Sequence, residues 1–442
     1  MRIVLTNYNY FPYSWGGSEI YVKGLASHLQ TLGHEVIIVS AVDQIDKEVL
    51  FFDKGDFKVT HYKHEGIDVL GVNYPLNTLD IYRKQNEQHQ NQWSLFWKKL
   101  VANFFQPDII HLNGFTAIMG LSMLNAAKSV LTKVKITSSY HTPISCPKGN
   151  LLYFNEKECQ IKPNPISCTA CILSNQLGIP KGLSIPISTL LPKKAPEGLP
   201  TGLKIKQYVT EAIKSFQNLN TLSDQWIVHS NQIKSIVLEN GVQEHKITLH
   251  RHGIDQEFLE PAVEERSNVP TVFAYVGRMK QIKGIQTLLN TWLQLKDDPS
   301  NRQLWLIGDS TSDEYDVKKS IEQAKKRQDI FFLGNQSRQK LAATFERVHV
   351  LICPSECLEI GPLVIHEAIA KGTNVIASDI GGCKELCNHY QEGCTVFSLK
   401  SIEKLKHLIQ KFEFKKTKHV VKSTVQHAEE VLKLYKRITN TP

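Results

Sequence analysis

The stretch SECLEIGPLVIHEAIAKGTNVIAS, residues Ser355–Ser378, contains a loop, a helix and a strand in succession. Pro362 suits the first position of a helix and Gly372 the position just past its end, which predicts a helix over Pro362–Lys371. The apolar run Asn374–Ser378 then predicts a buried strand. A helix that leads directly into such a strand is typical of a parallel α/β sheet with crossover helices.

The same alternation of strands and helices recurs along both halves of the chain. The first half contains the apolar segments RIVLT, HEVIIVS, IDVLGV, DIIHL, KVKITSSYH, QWIVHS and KITLHRHG, with a helix in EIYVKGLASHLQTLG. The second half contains TVFAYVGR, QLWLIG, IFFLG, HVLICPS and NVIAS, with helical segments between them. This pattern predicts two doubly wound α/β domains, residues 1–254 and 255–420, with an irregular insertion at about 146–200. Residues 421–442 contain a final helix, STVQHAEEVLKLYKRI.

Length and charge set the broad class of protein. A chain of 442 residues is too long for one ordinary core. The net charge of +9, from 52 basic and 43 acidic residues, suits an anionic substrate or an anionic membrane surface, although ordinary soluble proteins also reach it. The first residues lack a secretory signal, and no apolar run is long enough to span a bilayer. We therefore expect a cytoplasmic protein.

Two glutamates flank the predicted start of the helix over Pro362–Lys371. Glu359 lies in the preceding loop and Glu367 in the second turn. The free backbone amides of Gly361–Val364, together with the helix dipole, favour an anion. Acids beside an anion site are unfavourable unless they bind something else, and sugar hydroxyls would fit. The alternative is that both glutamates are solvated surface residues.

Four segments of the chain resemble the retaining family 4 glycosyltransferases. PSECLEIGPLVIHEAIAKGTNVIASDIGG is similar to that family's signature of two glutamates separated by seven residues, and FAYVGRMKQIKGIQTLL resembles its Gly-Arg and Lys-Gly segment. WGGSE resembles its N-terminal glycine-rich loop, and LHRHGID its interdomain segment. The segments occur in the family's order, and the resemblance covers nearly the whole chain except the insertion.

The resemblance implies the GT-B fold class. In this α/β architecture two Rossmann-like doubly wound domains face each other across a cleft, and the C-terminal helix packs back on the N-terminal domain. The N-terminal domain binds the acceptor and the C-terminal domain binds a nucleotide-diphosphate sugar. Transfer with retention of configuration, without a catalytic metal or other catalytic cofactor, is the implied reaction.

The resemblance also assigns roles to individual residues. Arg278 and Lys283 would hold the diphosphate and stabilise it as it leaves; two cations after a strand suit that task, although an isolated pair would more often be solvated. Glu359 would approach the hydroxyls of the transferred sugar and Glu367 the ribose. The remaining donor-binding residues would be Gly16, Gly17, Gly361, Pro362, Leu363 and Val364.

His141, at the end of the segment SSYH, corresponds to a histidine that the family uses to contact the sugar and position the acceptor. Many relatives have His-Asp at this point, whereas this chain has His141 followed by Thr142. An acid on the acceptor side is therefore not expected here. Outside this pattern, a histidine at a strand end is more often structural.

No acid is placed as a nucleophile, so we expect front-face attack beside the departing phosphate rather than a covalent intermediate. The expected reaction is transfer of a hexose-type sugar to a glycan or lipid-linked acceptor in cell-surface polysaccharide or glycoconjugate synthesis. A nucleotide-sugar epimerase of the same architecture and a non-catalytic nucleotide-sugar or carbohydrate-binding protein are the alternatives. No nucleic-acid partner is expected. An oxidoreductase is disfavoured because no Gly-x-Gly-x-x-Gly follows the first strand.

The insertion contains Cys146, Cys159, Cys168 and Cys171, the last two as Cys-x-x-Cys. Four thiols with one close pair suit a tetrahedral structural zinc, against the alternatives of disulfides or free thiols.

Two stretches, WSLFWKKLVANFF and the lysine-rich segment Lys181–Lys214, suit contact with the inner face of a membrane. Ordinary amphipathic core helices with a solvated basic face explain both equally well.

Overall fold

The computed structural model describes residues 1–42, 58–73, 87–115, 120–196, 200–260, 266 and 270–440. It divides into two compact units. The first unit comprises Met1–Arg251 and Val425–Pro442, and the second comprises His252–Thr424. The first unit therefore ends close to the predicted boundary at residue 254, and the C-terminal helix belongs to it.

The first unit is built on an eight-stranded sheet of order β10-β9-β6-β5-β1-β2-β4-β3. All neighbouring strands are parallel except β3, which pairs antiparallel with β4 at the edge. The order reverses between β1 and β5, as in doubly wound folds. A separate two-stranded hairpin, β7-β8, lies in the insertion. The strands are β1 Arg2–Asn7, β2 Glu35–Ala41, β3 Lys58–His64, β4 Ile67–Asn73, β5 Ile109–Leu112, β6 Lys135–Ser139, β7 Leu152–Tyr153, β8 Lys157–Glu158, β9 Gln225–Val228 and β10 Ile247–Leu249.

Helices follow most of these strands and cover the sheet. They are α1 Gly17–Thr31, α2 Glu87–Asn103, α3 Leu121–Val130, α4 Pro165–Leu177, α5 Lys181–Leu190, α6 Ile205–Leu222 and α7 Asn231–Glu239. The strand β5 is buried along its whole length, as expected for a strand with helices on both faces. In the described ranges, none of the helices combines the length and the apolar character needed to cross a bilayer.

The second unit contains a six-stranded parallel sheet of order β13-β12-β11-β14-β15-β16. Counted within the unit this order is 3-2-1-4-5-6, the arrangement of dinucleotide-binding domains. Apolar clusters pack on both faces of the sheet, one around Phe345 and Ile365 and the other around Trp292 and Leu306. The strands are β11 Thr271–Val276, β12 Arg302–Ile307, β13 Ile330–Gly334, β14 Val350–Cys353, β15 Asn374–Ser378 and β16 Cys394–Phe397.

The helices of the second unit alternate with its strands as the sequence predicts. They are α8 Gln256–Leu259, α9 Ile285–Trp292, α10 Tyr315–Ala324, α11 Arg338–Phe345, α12 Leu363–Ala370, α13 Gly381–Tyr390 and α14 Ile402–Gln410. The strand order reverses between β11 and β14. Ligands of doubly wound sheets bind beyond the carboxyl ends of the strands at such a reversal, so the loops after β11 and β14 are where a site is expected.

The last helix, α15 Thr424–Thr439, has one face in the core of the first unit. Ala428, Val431 and Tyr435 are fully buried there among residues of β1, α1 and β2. Its polar side chains also bond to this unit, since His427 is 3.1 Å from the hydroxyl of Tyr21. The helix is therefore part of the first unit's core.

Candidate functional site

The loops after β11 and β14 dock closely at the strand reversal of the second unit. Gly284 has φ +72°, and a Cβ atom placed there would lie 1.8 Å from the carbonyl oxygen of Pro354. Only glycine tolerates both this backbone conformation and this contact. The amide of Glu356 donates to the carbonyl of Ile282 at 2.9 Å and joins the two loops.

This docking brings Lys283 and Glu359 into direct contact. Lys283 Nζ lies 2.6 Å from Glu359 Oε1, and the hydroxyl of Ser355 donates to the same oxygen at 2.7 Å. The side chains are 30% and 15% exposed, respectively. Lys283 and Glu359 were predicted site residues 76 positions apart in sequence, and the structure unites them.

Each partner fixes the charge of the other. Burial alone would raise the pKa of Glu359, but the ammonium of Lys283 lowers it below its ordinary value. Burial alone would lower the pKa of Lys283, and the carboxylate raises it instead. Burial, with Glu359 nearby, raises the pKa of Cys357 to about 12. Glu359 is therefore ionised and acts as a hydrogen-bond acceptor at neutral pH.

Two glycines after β15 support the loop that carries Glu359. The amide of Gly382 donates to the carbonyl of Glu359 at 2.6 Å. A Cβ atom at Gly381, where φ is +58°, would lie 3.0 Å from the backbone of Glu359, and one at Gly382 would lie 2.9 Å from the amide nitrogen of Gly361. The Gly-Gly pair thus lets the start of α13 approach this loop.

The predicted helix start needs a correction of one residue. The helix covers Leu363–Ala370, and Pro362 is its N-cap residue rather than its first helical residue. Lys371 is the C-cap, and Gly372 follows with φ +69°, as expected of a glycine just past a helix end. The segment Gly361–Val364 is half-buried. It therefore presents the first amides of α12 beside the loop of Glu359.

Glu367 is not a surface residue. Its side chain is 3% exposed, and its Oε1 lies 2.6 Å from Nη2 of Arg338 at the start of α11. Nε of Arg338 bonds to Asp255 Oδ2 at 2.8 Å, and the guanidinium lies 4.5 Å above the ring of Phe258. Burial alone would lower the pKa of Arg338, but Glu367 and Asp255 raise it. One oxygen of Glu367 thus accepts a hydrogen bond from the guanidinium of Arg338, which is always charged.

Arg338 and Asp255 were not among the predicted site residues. Both lie far from Glu367 in sequence. Arg338 is outside the segments that resemble the family, and Asp255 is the last residue of the interdomain segment LHRHGID. An arginine directly after a helix-capping serine, SRQKL, reads as an ordinary solvated residue. No signal in a single sequence identifies its partner.

Arg278 occupies the same loop as Lys283 but differs in environment. It is exposed, and its backbone carbonyl accepts a bond from the hydroxyl of Tyr275 at 2.7 Å. Within the ranges that the structure describes, its guanidinium has no ion-pair partner. It is therefore available to an anion, whereas the charge of Lys283 is matched by Glu359.

In the first unit, Gly16 and Gly17 form the start of α1. The helix begins at Gly17, and its N-cap residue is Gly16. The hydroxyls of Ser14 and Ser18 donate to the carboxylate of Glu19 at 2.6 and 2.8 Å. A Cβ atom at Gly16 would lie 2.7 Å from this carboxylate. The observed reason for a glycine there is space for Glu19.

His141 follows β6 and packs against other rings of the first unit. Its ring is stacked on that of His229 with centroids 4.5 Å apart, and the ring of Tyr21 lies 4.4 Å away. Burial and the neighbouring His229 lower the pKa of His141 well below its ordinary value. His141 is therefore neutral at physiological pH. By contrast, His111 is held between Tyr435 and Ser139 and is a structural residue.

Two family models match the chain in succession. The model described as Glycosyltransferase Family 4 matches residues 15–162, and the model described as Glycosyl transferases group 1 matches residues 257–425. The first match contains Gly16, Gly17 and His141. The second contains Arg278, Lys283, Arg338, Glu359 and Glu367.

The first curated relatives match over shorter stretches. Glycogen synthase of Mycobacterium tuberculosis is 29% identical over 151 residues, which is 34% of this chain and 35% of that protein. The chain spans about a third of the length of the first curated relatives that it matches.

Solved structures match the fold along the whole chain. A glycosyltransferase from Rickettsia africae has a TM-score of 0.62 at 19% identity and covers 100% of this chain and 99% of its own. An Anabaena protein solved with UDP and glucose has a TM-score of 0.58 at 14% identity and covers 99% and 97%. These likenesses confirm the predicted GT-B fold class. With both family models matched in the expected order, the chain belongs to the group 1, family 4 glycosyltransferases.

Proposed function

We propose that this protein transfers a hexose-type sugar from a nucleotide-diphosphate sugar to a glycan or lipid-linked acceptor, with retention of configuration. The observation that carries the proposal is the contact between Lys283 and Glu359 at the strand reversal of the second unit. At the point where doubly wound sheets bind nucleotides, Lys283 would serve as a cation for phosphate and Glu359 as an acceptor for hydroxyls.

On the donor side, Glu359 would accept hydrogen bonds from the transferred sugar and Glu367 from the ribose. Arg278 and Lys283 would hold the diphosphate, with the amides of Gly361–Val364 beside them. The exposed guanidinium of Arg278 suits the first contact with phosphate. A bound UDP and glucose in the Anabaena structure supports a nucleotide sugar as the ligand class.

The chemistry would be stabilisation of the leaving diphosphate. Glu359 is ionised and paired with Lys283, so it carries no proton to give to a leaving group. We infer that the acceptor attacks from the face of the departing phosphate and that the phosphate takes the acceptor proton. The protein would supply positioning and fixed positive charge, without a catalytic metal.

On the acceptor side, the neutral ring of His141 would contact the sugar and position the acceptor. Its low pKa suits hydrogen bonding rather than service as a cation. Gly16 and Gly17 would contribute backbone near the donor phosphates. Because residue 142 is a threonine rather than the aspartate of the family's His-Asp pattern, the pattern supplies no carboxylate base on this side.

A lipid-linked acceptor would require contact between the protein and a membrane. The stretch WSLFWKKLVANFF falls in α2, where Phe96, Trp97 and Leu100 are buried, so this segment belongs to the core. Helix α5 is different, because Leu183 and Leu190 are 58% and 85% exposed. Exposed lysines follow it at 193 and 194. We propose that α5 rests on an anionic bilayer, where a lipid-linked acceptor would lie.

The donor proposal is tested by screening nucleotide sugars by calorimetry and then measuring release of nucleoside diphosphate with candidate acceptors. Glu367→Ala and Lys283→Ala should abolish most of the activity. Glu403→Gln, on the exposed face of α14, is the matched control and should leave it unchanged. Normal turnover in both site variants would contradict the assignment. The anomeric configuration of the product, read by NMR, tests retention, and an epimerised nucleotide sugar would identify the alternative reaction.

The membrane proposal is tested by co-sedimentation with phosphatidylglycerol or phosphatidylcholine vesicles. We expect binding to the anionic vesicles alone. Since burial of each leucine contributes about 1.5–3 kcal/mol, Leu183→Ser with Leu190→Ser should weaken binding at least about tenfold. Val420→Ser removes a 98% exposed apolar residue of the second unit and is the control. Unchanged binding in the double variant, or equal binding to neutral vesicles, would refute a docking role for α5.

A further inference from the structure

The part of the insertion that precedes α4 has little regular structure of its own. The hairpin β7-β8 has strands of two residues each, and α4 is the first helix of the insertion. Short hairpins of this kind are marginal without a further constraint. Segments of this size commonly obtain that constraint from a disulfide or a structural metal.

Four cysteines surround this hairpin and face one cavity. Cys146 precedes β7, Cys159 directly follows β8, and Cys168 and Cys171 lie three residues apart on α4. Residues three apart on a helix share one face, so both thiols of the pair reach the same side. All four line a single cavity with Pro147, Lys148, Leu152, Tyr153, Ile161 and Ser167.

The lining has the chemistry of a soft-metal site. It contains four sulfur atoms and no carboxylate. Lys148, the cation of the lining, is directed to Asn155 Oδ1 at 2.8 Å. Four sulfur ligands select zinc, whereas magnesium and calcium require oxygen ligands.

The sulfur of Cys171 receives support from its surroundings. The amide of Phe154 donates to it at 3.2 Å, and Nδ2 of Asn175 lies 3.6 Å away. Phe154 adopts φ +51°, an uncommon conformation for a bulky residue. Donors of this kind orient a metal ligand and stabilise its thiolate form.

We propose that Cys146, Cys159, Cys168 and Cys171 bind one structural zinc ion that fixes the hairpin β7-β8 against α4. All four are free thiols, so the structure contains no disulfide among them. Among the described residues, no three of these sulfurs lie within 4.8 Å of one another. Tetrahedral zinc with bonds of about 2.3 Å requires sulfurs roughly 3.8 Å apart, so the metal would draw the loop of Cys146 and Cys159 towards α4.

The test is metal analysis of the full chain purified anaerobically without added metal. We expect about one zinc per chain in the wild type and less than about 0.1 in Cys168→Ser with Cys171→Ser. Cys394→Ser, in the second unit, is the matched control and should keep the full zinc content. X-ray absorption at the zinc edge should show four sulfur neighbours at about 2.3 Å.

Three outcomes would overturn the proposal. They are a wild-type protein without zinc, an equal zinc content in the cysteine-pair variant, and a disulfide between any two of the four residues found by mass spectrometry of the unreduced chain. Should the double variant fail to fold, cobalt substitution of the wild type decides, because four thiolates around cobalt give intense visible absorption with a charge-transfer band. A weak spectrum typical of oxygen ligands would exclude the site.

Discussion

Replacement of Lys283 by methionine should destabilise the second unit by leaving the carboxylate of Glu359 without its cation. Removing one partner of a buried ion pair costs roughly 3–5 kcal/mol. Since Lys283 keeps 30% of its side-chain exposure and Glu359 15%, water screens part of this loss. We therefore expect about 2–3 kcal/mol for Lys283→Met near pH 7.

A double-mutant cycle isolates the pair from the packing of each side chain. Glu359→Gln and the double variant complete the cycle. The loss of unfolding free energy in the double variant should be smaller than the sum of the two single losses by at least about 1 kcal/mol. Arg278→Met is the matched control. Its guanidinium is exposed, and in the described ranges it lacks an ion-pair partner, so its loss should cost less than about 0.5 kcal/mol.

The effect has a defined pH dependence. Although burial opposes it, Lys283 lowers the pKa of Glu359 in the folded state. Ionised Glu359 therefore contributes stability above its unfolded pKa of about 4.3, and this contribution is lost as the pH falls through the lower folded value. The wild type and Lys283→Met should thus differ most near neutral pH and converge in acid.

The suitable assay is urea unfolding monitored by hydrogen–deuterium exchange in peptides from β11 and α12. A local readout is needed because a chain of two units need not unfold in one transition. If Lys283→Met is as stable as Arg278→Met, or if the two single losses add without coupling, the ion pair does not stabilise the second unit. A difference between wild type and variant that grows in acid would also refute the stabilising role of the pair.

Three further perturbations test other parts of the site. Gly284→Ala should lower the free energy of unfolding by at least about 2 kcal/mol, because backbone strain and a backbone clash combine. Gly241→Ala, also at positive φ but with open space around it, should lower it by only about 1 kcal/mol. Equal losses in thermal or urea unfolding would contradict the close docking of the two loops. A lysine at position 338 cannot hold both carboxylates. If Arg338 orients Glu367, Arg338→Lys should therefore raise the donor KM about tenfold with little change in kcat, and unchanged kinetics would exclude that role. The ring signals of His141, assigned by their loss in His141→Gln, should not titrate in NMR spectra between pH 5.5 and 8, and a midpoint near 6.5 would show that the ring is accessible to protons.

The elements with strong apolar runs could be predicted from the sequence. The strands β11 to β15 were identified, and their order follows the doubly wound rule. The edge strand β3 and the hairpin β7-β8 were missed, because short or polar segments carry little periodic signal. The helix α12 was predicted one residue too long at each end, since Pro362 serves as the cap rather than the first helical residue.

In the site as well, some contacts could be predicted from the sequence and others could not. Lys283 and Glu359 follow strands that are neighbours at the sheet reversal, so a motif and a topology together predict their meeting. Arg338 has neither, and its bond to Glu367 depends on how α11 packs beside α12. Long-range pairing of this kind is determined by tertiary packing, which a single sequence does not display.

The return of α15 to the first unit has a consequence for protein synthesis. Residues 1–251 leave the ribosome before Val425 is made, so the apolar surface that receives Ala428 and Tyr435 stays uncovered while the intervening unit is translated. At 5–20 residues per second this delay lasts roughly ten to thirty seconds. The second unit is continuous in sequence and has no such wait. The domain encoded second is therefore the first that can complete its core on a nascent chain.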